Sequence, residues 1–107
     1  MGMLYAGQNN WKQAATYLER AVRLRPDFPN ALNNLGVLKI RQGDADGAEH
    51  EFQECIRVAP DYSQAFVNLS QLEAGLGRKD EARALLKEFL ERHPDNHAVE
   101  EALRELH

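Results

Sequence analysis

The chain has 107 residues, 28% of them charged, and a formal net charge of −4. This acidic balance argues against nucleic-acid binding, because phosphate groups would be repelled. The sequence shows neither an apolar run of about 18 residues nor an N-terminal signal peptide, so it predicts no membrane partner and, by default, a cytoplasmic location.

The charge is spread unevenly along the chain. Residues 1–43 carry six Lys or Arg and two Asp or Glu, whereas residues 44–107 carry seven and fifteen. Such asymmetry could orient a charged partner or favour head-to-tail contact between copies.

The first predicted elements are the end of a helix over residues 1–8, a turn and a second helix. The turn is expected at Gly7-Gln8-Asn9-Asn10, and the second helix runs from Trp11 to Leu24. Its apolar residues recur at three- and four-residue spacing, which is typical of an amphipathic helix. Pro26 and Pro29 end this helix and begin the next.

Two helices are predicted next, over about Pro29–Gln42 and Ala45–Val58. Gly43 is expected to close the first of them and Asp44 to serve as the N-cap of the second. Gly36, inside the first, should let a neighbouring backbone come close.

Three helices follow in the C-terminal half, over about Ser63–Leu76, Asp80–Arg92 and Asn96–Leu106. Gly77 closes the first of these, and Pro94 stops the second. The last helix has one apolar face and one strongly polar face, as the terminal cap of a stack requires.

An internal repeat of 34 residues organises these helices. Six positions recur at that interval: Ala31, Leu35, Gly43, Ala48, Phe52 and Pro60 meet Ala65, Leu69, Gly77, Ala82, Leu86 and Pro94. Three Pro-Asp pairs, at residues 26, 60 and 94, keep the same spacing. This period predicts stacked helical hairpins, each of which needs its neighbours to complete a core.

These residues resemble the tetratricopeptide repeat, whose pattern is a large apolar residue, Leu-Gly, Tyr, then Ala, an aromatic residue and Pro. The resemblance implies an all-α, right-handed superhelical solenoid of antiparallel helix pairs. It divides the chain into units of about 1–28, 29–62 and 63–94 and a capping helix over 95–107. Lys39 and Glu73 replace the family's Tyr, and Ser70 replaces its Gly, so helix contacts should be looser or differently packed there.

The register of the repeat places Met1 opposite Leu35, so the first unit lacks about six residues and the sequence could be a segment of a longer array. The truncation should leave the apolar face around Trp11, Leu18 and Val22 under-covered. We therefore expect a homo-oligomer, or exchange of N-terminal helices between copies.

The sequence contains no catalytic signature. It lacks a Gly-rich phosphate loop, a Ser/His/Asp set and a Cys pair, so we expect a non-catalytic protein without a cofactor. His93 and His97 have a metal-ligand spacing, but Pro94 between them breaks the helix, so no metal site is predicted. Cys55 is interpreted as a small buried hydrophobic residue.

A polar set at the starts of two helices is the candidate binding site: Asn30, Asn33, Asn34, Gln64, Asn68 and Gln71. Asn34 and Asn68 lie one repeat apart. In the family the first helix of each pair lines the concave surface, so these amides could form a ladder that binds the backbone of an extended peptide. The arrangement resembles the asparagine ladder of O-GlcNAc transferases. The alternative, that each Asn bonds a neighbouring helix, stays open.

The function implied by the resemblance is a protein-interaction scaffold that binds a peptide or partner segment. Two alternatives stay open: an accessory segment of a larger enzyme such as a glycosyltransferase, and a self-assembling structural array. The chaperone-binding clamp of the family needs Lys and Arg in the groove, where the third unit has Gln64 and Asn68, so that function is disfavoured.

Overall fold

A computed structural model describes the backbone of residues 2–106 and the side chains of residues 12–106. Within that range the chain forms six helices and no strand: α1 (Gly2–Leu24), α2 (Pro29–Arg41), α3 (Ala45–Val58), α4 (Ser63–Gly75), α5 (Lys79–Arg92) and α6 (His97–Arg104). Each helix packs against the next along the chain, and α4 also contacts α2 and α6. The predicted all-α solenoid is therefore confirmed.

The N-terminal region differs from the prediction. α1 runs unbroken from Gly2 to Leu24, so the turn expected at Gly7-Gln8-Asn9-Asn10 is wrong. In the later units the turn uses Gly43 and Gly77, whose φ angles are +82° and +84°, whereas Asn9 occupies the matching position. A helix of about eight residues is unstable by itself, and no proline interrupts this segment. Continuing the helix therefore satisfies the backbone hydrogen bonds that a turn would leave open.

The predicted helix caps of the later units are confirmed. Gly43 and Gly77 end their helical hairpin turns in the left-handed conformation that favours glycine. The Asp44 side chain accepts a hydrogen bond of 2.9 Å from the backbone N–H of Gly47 and so caps α3. Asn96 caps α6 in the same way, through the N–H of Val99 at 3.0 Å.

The core consists of three adjoining clusters of buried residues. They contain Leu32, Cys55 and Ala65; Ala48, Phe52 and Leu69; and Phe66, Ala82, Leu86, Phe89, Val99, Ala102 and Leu106. Ile56 of α3 packs against all three clusters and so joins them. In the third cluster the rings of Phe66 and Phe89 lie 4.8 Å apart, and Val99 of α6 belongs to the same cluster.

Cys55 is buried, as predicted. Its thiol donates a hydrogen bond of 3.3 Å to the carbonyl oxygen of Pro29. Burial raises the pKa of this thiol to about 11, so it remains protonated at neutral pH. The residue therefore acts as a small apolar side chain between α2 and α3.

The apolar face of α1 is only partly as expected. The side chain of Trp11 lies outside the described residues, and Leu18 and Val22 are half-buried rather than exposed. Among the described side chains of α1, residues 12–24, the large apolar ones that are exposed are Tyr17 and Leu24. Among the described helices α1 contacts α2 alone. Self-association through this end of the chain stays a prediction.

Gly36 of α2 permits a close approach between α2 and α3. A Cβ atom at this position would lie 2.5 Å from Cε1 of Phe52, so the close approach is to an aromatic ring of α3 and not, as expected, to a backbone. One repeat later the same positions hold Ser70 and Leu86, and both are buried. Ser70 donates to the carbonyl oxygen of Val67 at 2.8 Å. A larger residue on one helix is thus matched by a smaller one on the other, so the contact at Ser70 is packed differently from that at Gly36, which is one of the two outcomes expected there.

Gly36→Ala should lower the free energy of unfolding by about 1–3 kcal/mol, because the added methyl group overlaps a buried ring. Phe52→Leu, which copies the pair of the next unit, should offset part of this loss in the double mutant. Chemical denaturation of the four proteins in this cycle measures the coupling.

Gly75→Ala is the matched control, since no atom lies within 4 Å of the added Cβ. Better helix propensity should leave it neutral or stabilised by up to about 1 kcal/mol. Strictly additive effects of Gly36→Ala and Phe52→Leu would contradict the assigned contact.

Candidate functional site

Matching stripes of residues face the same side of α2 and α4. Positions spaced by four, three and four residues fall on one face of a helix, and here each recurs 34 residues later: Asn30 and Gln64, Asn34 and Asn68, Val37 and Gln71, Arg41 and Gly75. The N-terminal half of this surface therefore carries amides. Apolar side chains adjoin its C-terminal half.

An open cleft of about 570 Å³ lies between the C-terminal halves of α2 and α4. It is lined by Val37, Ile40, Arg41, Asn68, Gln71, Leu72, Gly75 and Leu76. Ile40 and Leu76 are 42% and 44% exposed although both are large and apolar. Covering them with an apolar group of a partner would remove this surface from water and so favour binding.

Asn68 is the centre of the amide network on this surface. Its Nδ2 donates to Oδ1 of Asn33 on α2 at 3.0 Å, and its Oδ1 accepts from Nε2 of Gln64 at 3.2 Å. Asn33 is only 5% exposed. The Asn33–Asn68 bond therefore joins two neighbouring helices, which is the structural role that the sequence left open.

The remaining amides divide into two groups. Asn34 donates to Asn30 within α2, at 3.1 Å, and neither residue lines the cleft. Gln71 lines the cleft and makes no side-chain hydrogen bond to any other residue that the structure describes. The contact between helices is thus Asn33 to Asn68, not a rung between Asn34 and Asn68. Of the six candidates, Asn68 and Gln71 are the two that the fold brings to the cleft.

Sequence reasoning missed the apolar half of the cleft. Ile40 lies outside the stripe of Leu32, Leu35 and Leu38, which recur at three-residue spacing along the helix, and this offset is the available signal. Leu76 gave a weaker signal, because it directly precedes the turn glycine Gly77 and there resembled the last residue of a helix.

Buried charged side chains occur at equivalent positions of the second and third units. They are paired in the second unit but not in the third. In the second unit, Nζ of Lys39 lies 2.7 Å from Oε2 of Glu51, and both side chains are largely buried. One repeat later these positions hold Glu73 and Leu85. Glu73 is 8% exposed, and its Oε1 has no hydrogen-bond partner among the described residues. A buried carboxylate without such a partner destabilises the fold when it is ionised.

The surroundings of Glu73 raise its pKa. Burial is the largest cause, followed by the nearby carboxylates of Glu81 on α5 and Glu49 on α3; Arg78 acts in the opposite direction. Arg78 itself forms an ion pair of 2.9 Å with Glu49. The cation that acts on Glu73 is therefore bonded to another carboxylate.

Family models match nearly all of this chain. A tetratricopeptide repeat model matches residues 39–106, and a second tetratricopeptide repeat model matches residues 1–52. The chain belongs to the tetratricopeptide repeat family. No curated protein matches it by sequence.

Solved tetratricopeptide structures share the fold at low identity. The first such domain of Spaghetti (RPAP3), bound to the HSP90 peptide SRMEEVD, is 20% identical with a TM-score of 0.78, covering 98% of this chain and 83% of that one. The protein TTC0263 of Thermus thermophilus is 24% identical with a TM-score of 0.84, covering 95% of this chain and 52% of that one. The Sgt2 domain of Aspergillus fumigatus is 18% identical with a TM-score of 0.78, covering 98% and 71%. At these identities the likeness establishes the fold alone.

Two kinds of feature are absent from the described residues. Among the described side chains, residues 12–106, no group of three or more His, Cys, Asp or Glu is placed to hold a metal ion. No helix within residues 2–106 is both long and apolar enough to span a bilayer.

Asn68→Ala should lower the free energy of unfolding by about 1–3 kcal/mol, because it removes the donor to the buried Asn33 oxygen. Asn34→Ala removes an exposed amide from the same face and should change it by less than about 0.5 kcal/mol. Equal denaturation midpoints for the two variants would show that the Asn33–Asn68 bond does not stabilise the array.

The raised pKa of Glu73 predicts a pH-dependent stability. Its contribution is fully present below the unfolded-state pKa of about 4.3 and is lost as the pH rises through the higher folded-state value. Glu73→Gln removes this titration. The melting temperature of the variant minus that of the parent should therefore increase from about pH 4 to about pH 7.

Glu101→Gln, on the exposed face of α6, is the control and should not show this trend. Thermal melts of the three proteins across the pH range measure the effect. A difference between Glu73→Gln and the parent that stays constant with pH would contradict the burial argument.

Proposed function

We propose that this tetratricopeptide array is a non-catalytic protein-interaction module that binds an extended segment of a partner protein in the cleft between α2 and α4. The main support is the lining of this cleft. It contains two exposed apolar side chains, Ile40 and Leu76, and the amide of Gln71, which makes no side-chain hydrogen bond to another described residue. In this proposal units 29–62 and 63–94 supply the two faces, α6 within 95–107 caps the stack, and unit 1–28 contributes α1.

The ligand would use two kinds of contact. An apolar side chain of the segment would pack between Ile40 and Leu76, the exposed large apolar side chains that line the cleft. Its backbone would bond the amide of Gln71 and the second N–H of Asn68, because an Asn amide has two donors and only one is used by Asn33. Asn30, Asn34 and Gln64 would extend the polar surface, with Asn33 in support.

The two contacts differ in expected size. Burying one large apolar side chain contributes about 1.5–3 kcal/mol, and one neutral hydrogen bond about 0.5–1.5 kcal/mol net. The apolar anchor should therefore set the affinity, while the amides fix the direction and register of the bound segment. This division is usual in small binding sites.

A structural neighbour supports the ligand class. The Spaghetti (RPAP3) domain carries a bound peptide on the same fold. That peptide, SRMEEVD, is acidic. The cleft here presents amides and apolar side chains with one Arg among its lining residues, which favours a neutral segment with an apolar anchor.

The proposal is tested with a peptide array, from which the tightest neutral binder is titrated against variants. Gln71→Ala should weaken binding by up to about tenfold, since it removes one or two hydrogen bonds. Ile40→Ser should weaken it by about tenfold or more, since it removes the apolar anchor surface. Both residues are exposed, so melting temperatures should change little.

Gln13→Ala, an exposed amide change on α1, is the control and should leave affinity unchanged. Unchanged affinity in folded Ile40→Ser protein would exclude the cleft as the binding surface. Unchanged affinity in Gln71→Ala and in a folded Asn34→Ala/Asn68→Ala double mutant would remove the amides from the mechanism.

A further inference from the structure

A second groove, of about 380 Å³, lies between α3 and α5 with α4 at its base. It is lined by Gln53, Ile56, Leu69, Glu73, Glu81, Ala84, Leu85 and Glu88. It uses Leu69 and Glu73 of α4, whereas the cleft uses other residues of that helix. The two concavities therefore lie on different faces of α4.

The groove is acidic, and one of its carboxylates is buried. Glu73, Glu81 and Glu88 line it together with apolar side chains, and no Lys or Arg is among the lining residues. Glu73 is 92% buried, since its exposure is 8%, and its Oε1 has no hydrogen-bond partner within the described part of the chain. A buried acceptor in this state needs a donor, and the groove is the open side from which one can come.

The preceding unit shows which donor fits. There the equivalent positions are Lys39 and Glu51, and the ammonium lies 2.7 Å from the carboxylate. In the third unit Glu73 has taken the place of the lysine, and Leu85 that of the glutamate. The third unit thus has no cation in this pair, and its one carboxylate stands at the position of the lysine.

We propose that this groove is a second binding site, which takes a Lys or Arg side chain from a basic segment of a partner protein. The aliphatic stem would lie against Ile56, Leu69 and Leu85, as long basic side chains do on apolar surfaces. The cationic group would bond Glu73. Rotation about the last torsion of Glu73, which is broad for this residue type, turns its unbonded oxygen to the groove.

The surrounding charge favours this occupant. Glu81 and Glu88 stand at the exposed rim of the groove, and residues 44–107 together carry fifteen acidic against seven basic side chains. A basic segment would be attracted to this half of the molecule before it docks. None of the residues that line this groove lines the cleft between α2 and α4, so the second site is separate from the one in the proposed function.

The probe is a short peptide of alternating lysine and alanine, with the same peptide acetylated on every lysine as the uncharged comparison. Fluorescence anisotropy measures its affinity for the parent, for Glu73→Gln and for Glu101→Gln, at about 0.05 M and 0.15 M salt. Glu73→Gln keeps the shape of the side chain and should weaken binding by about tenfold or more. Glu101→Gln alters the net charge equally and should weaken it by less than about twofold. The acetylated peptide should not bind.

Leu85→Lys provides an internal occupant. It restores a cation beside Glu73, as in the Lys39–Glu51 pair, and should abolish peptide binding without lowering the melting temperature. If this variant does not fold, the peptide affinity of Glu73→Gln alone tests the proposal. The neutral ligand of the cleft should bind Glu73→Gln as it binds the parent, so failure at one site is distinguishable from failure at the other.

Several results would overturn the proposal. Equal losses with Glu73→Gln and Glu101→Gln would reduce the effect to general charge attraction. Undiminished binding of the acetylated peptide, or no binding of the lysine peptide, would exclude a cation site. A dimer of the parent that dissociates on Glu73→Gln, measured by light scattering, would assign the groove to the basic residues of a second copy instead.

Discussion

The contact of the Phe52 ring with Gly36 is the constraint on which the rest of the structure depends. It sets how closely α2 and α3 approach, because no Cβ fits between them. Ile56, one turn further along α3, packs against all three clusters of the core. Through these contacts the position of α3 determines the position of α4. The spacing between α2 and α4 in turn fixes the width of the cleft. A change at Gly36 therefore acts on binding as well as on stability.

The Asn33–Asn68 hydrogen bond connects stability with recognition. It ties α2 to α4 at one end of the surface on which we place the ligand, and it uses one donor of Asn68. An amide that holds two helices together is also held in place itself, so its second donor is oriented before a ligand arrives. Gln71 lacks this support and must lose side-chain freedom on binding. A hydrogen bond from Asn68 should therefore contribute more to the binding free energy than one from Gln71.

The sequence predicts the later helices and their caps well, because glycine, proline and Asp44 act locally and the 34-residue period averages over several signals. It fails at the N-terminus, where the choice between a turn at Asn9 and a continuous helix depends on small differences in backbone energy. It also does not show which amides bond each other between helices. Sequence spacing aligns Asn34 with Asn68, but the stagger between packed helices brings Asn33 to Asn68 instead, and stagger is set by core packing that no single position encodes.

Departures from the repeat explain why the two concavities differ. A strictly periodic array would repeat the Lys39–Glu51 pair, or its tyrosine equivalent, in every unit and would leave no buried group without a partner. Replacing such a pair by Glu73 and Leu85 has opposite consequences for the fold and for binding: the unpaired carboxylate of Glu73 weakens the folded state, and the same carboxylate gives a cation a favourable place to bind. The stability that the unpaired carboxylate removes from the folded state is then regained only when a cationic ligand occupies the groove. Occupancy of the groove is thereby coupled to the stability of the third unit.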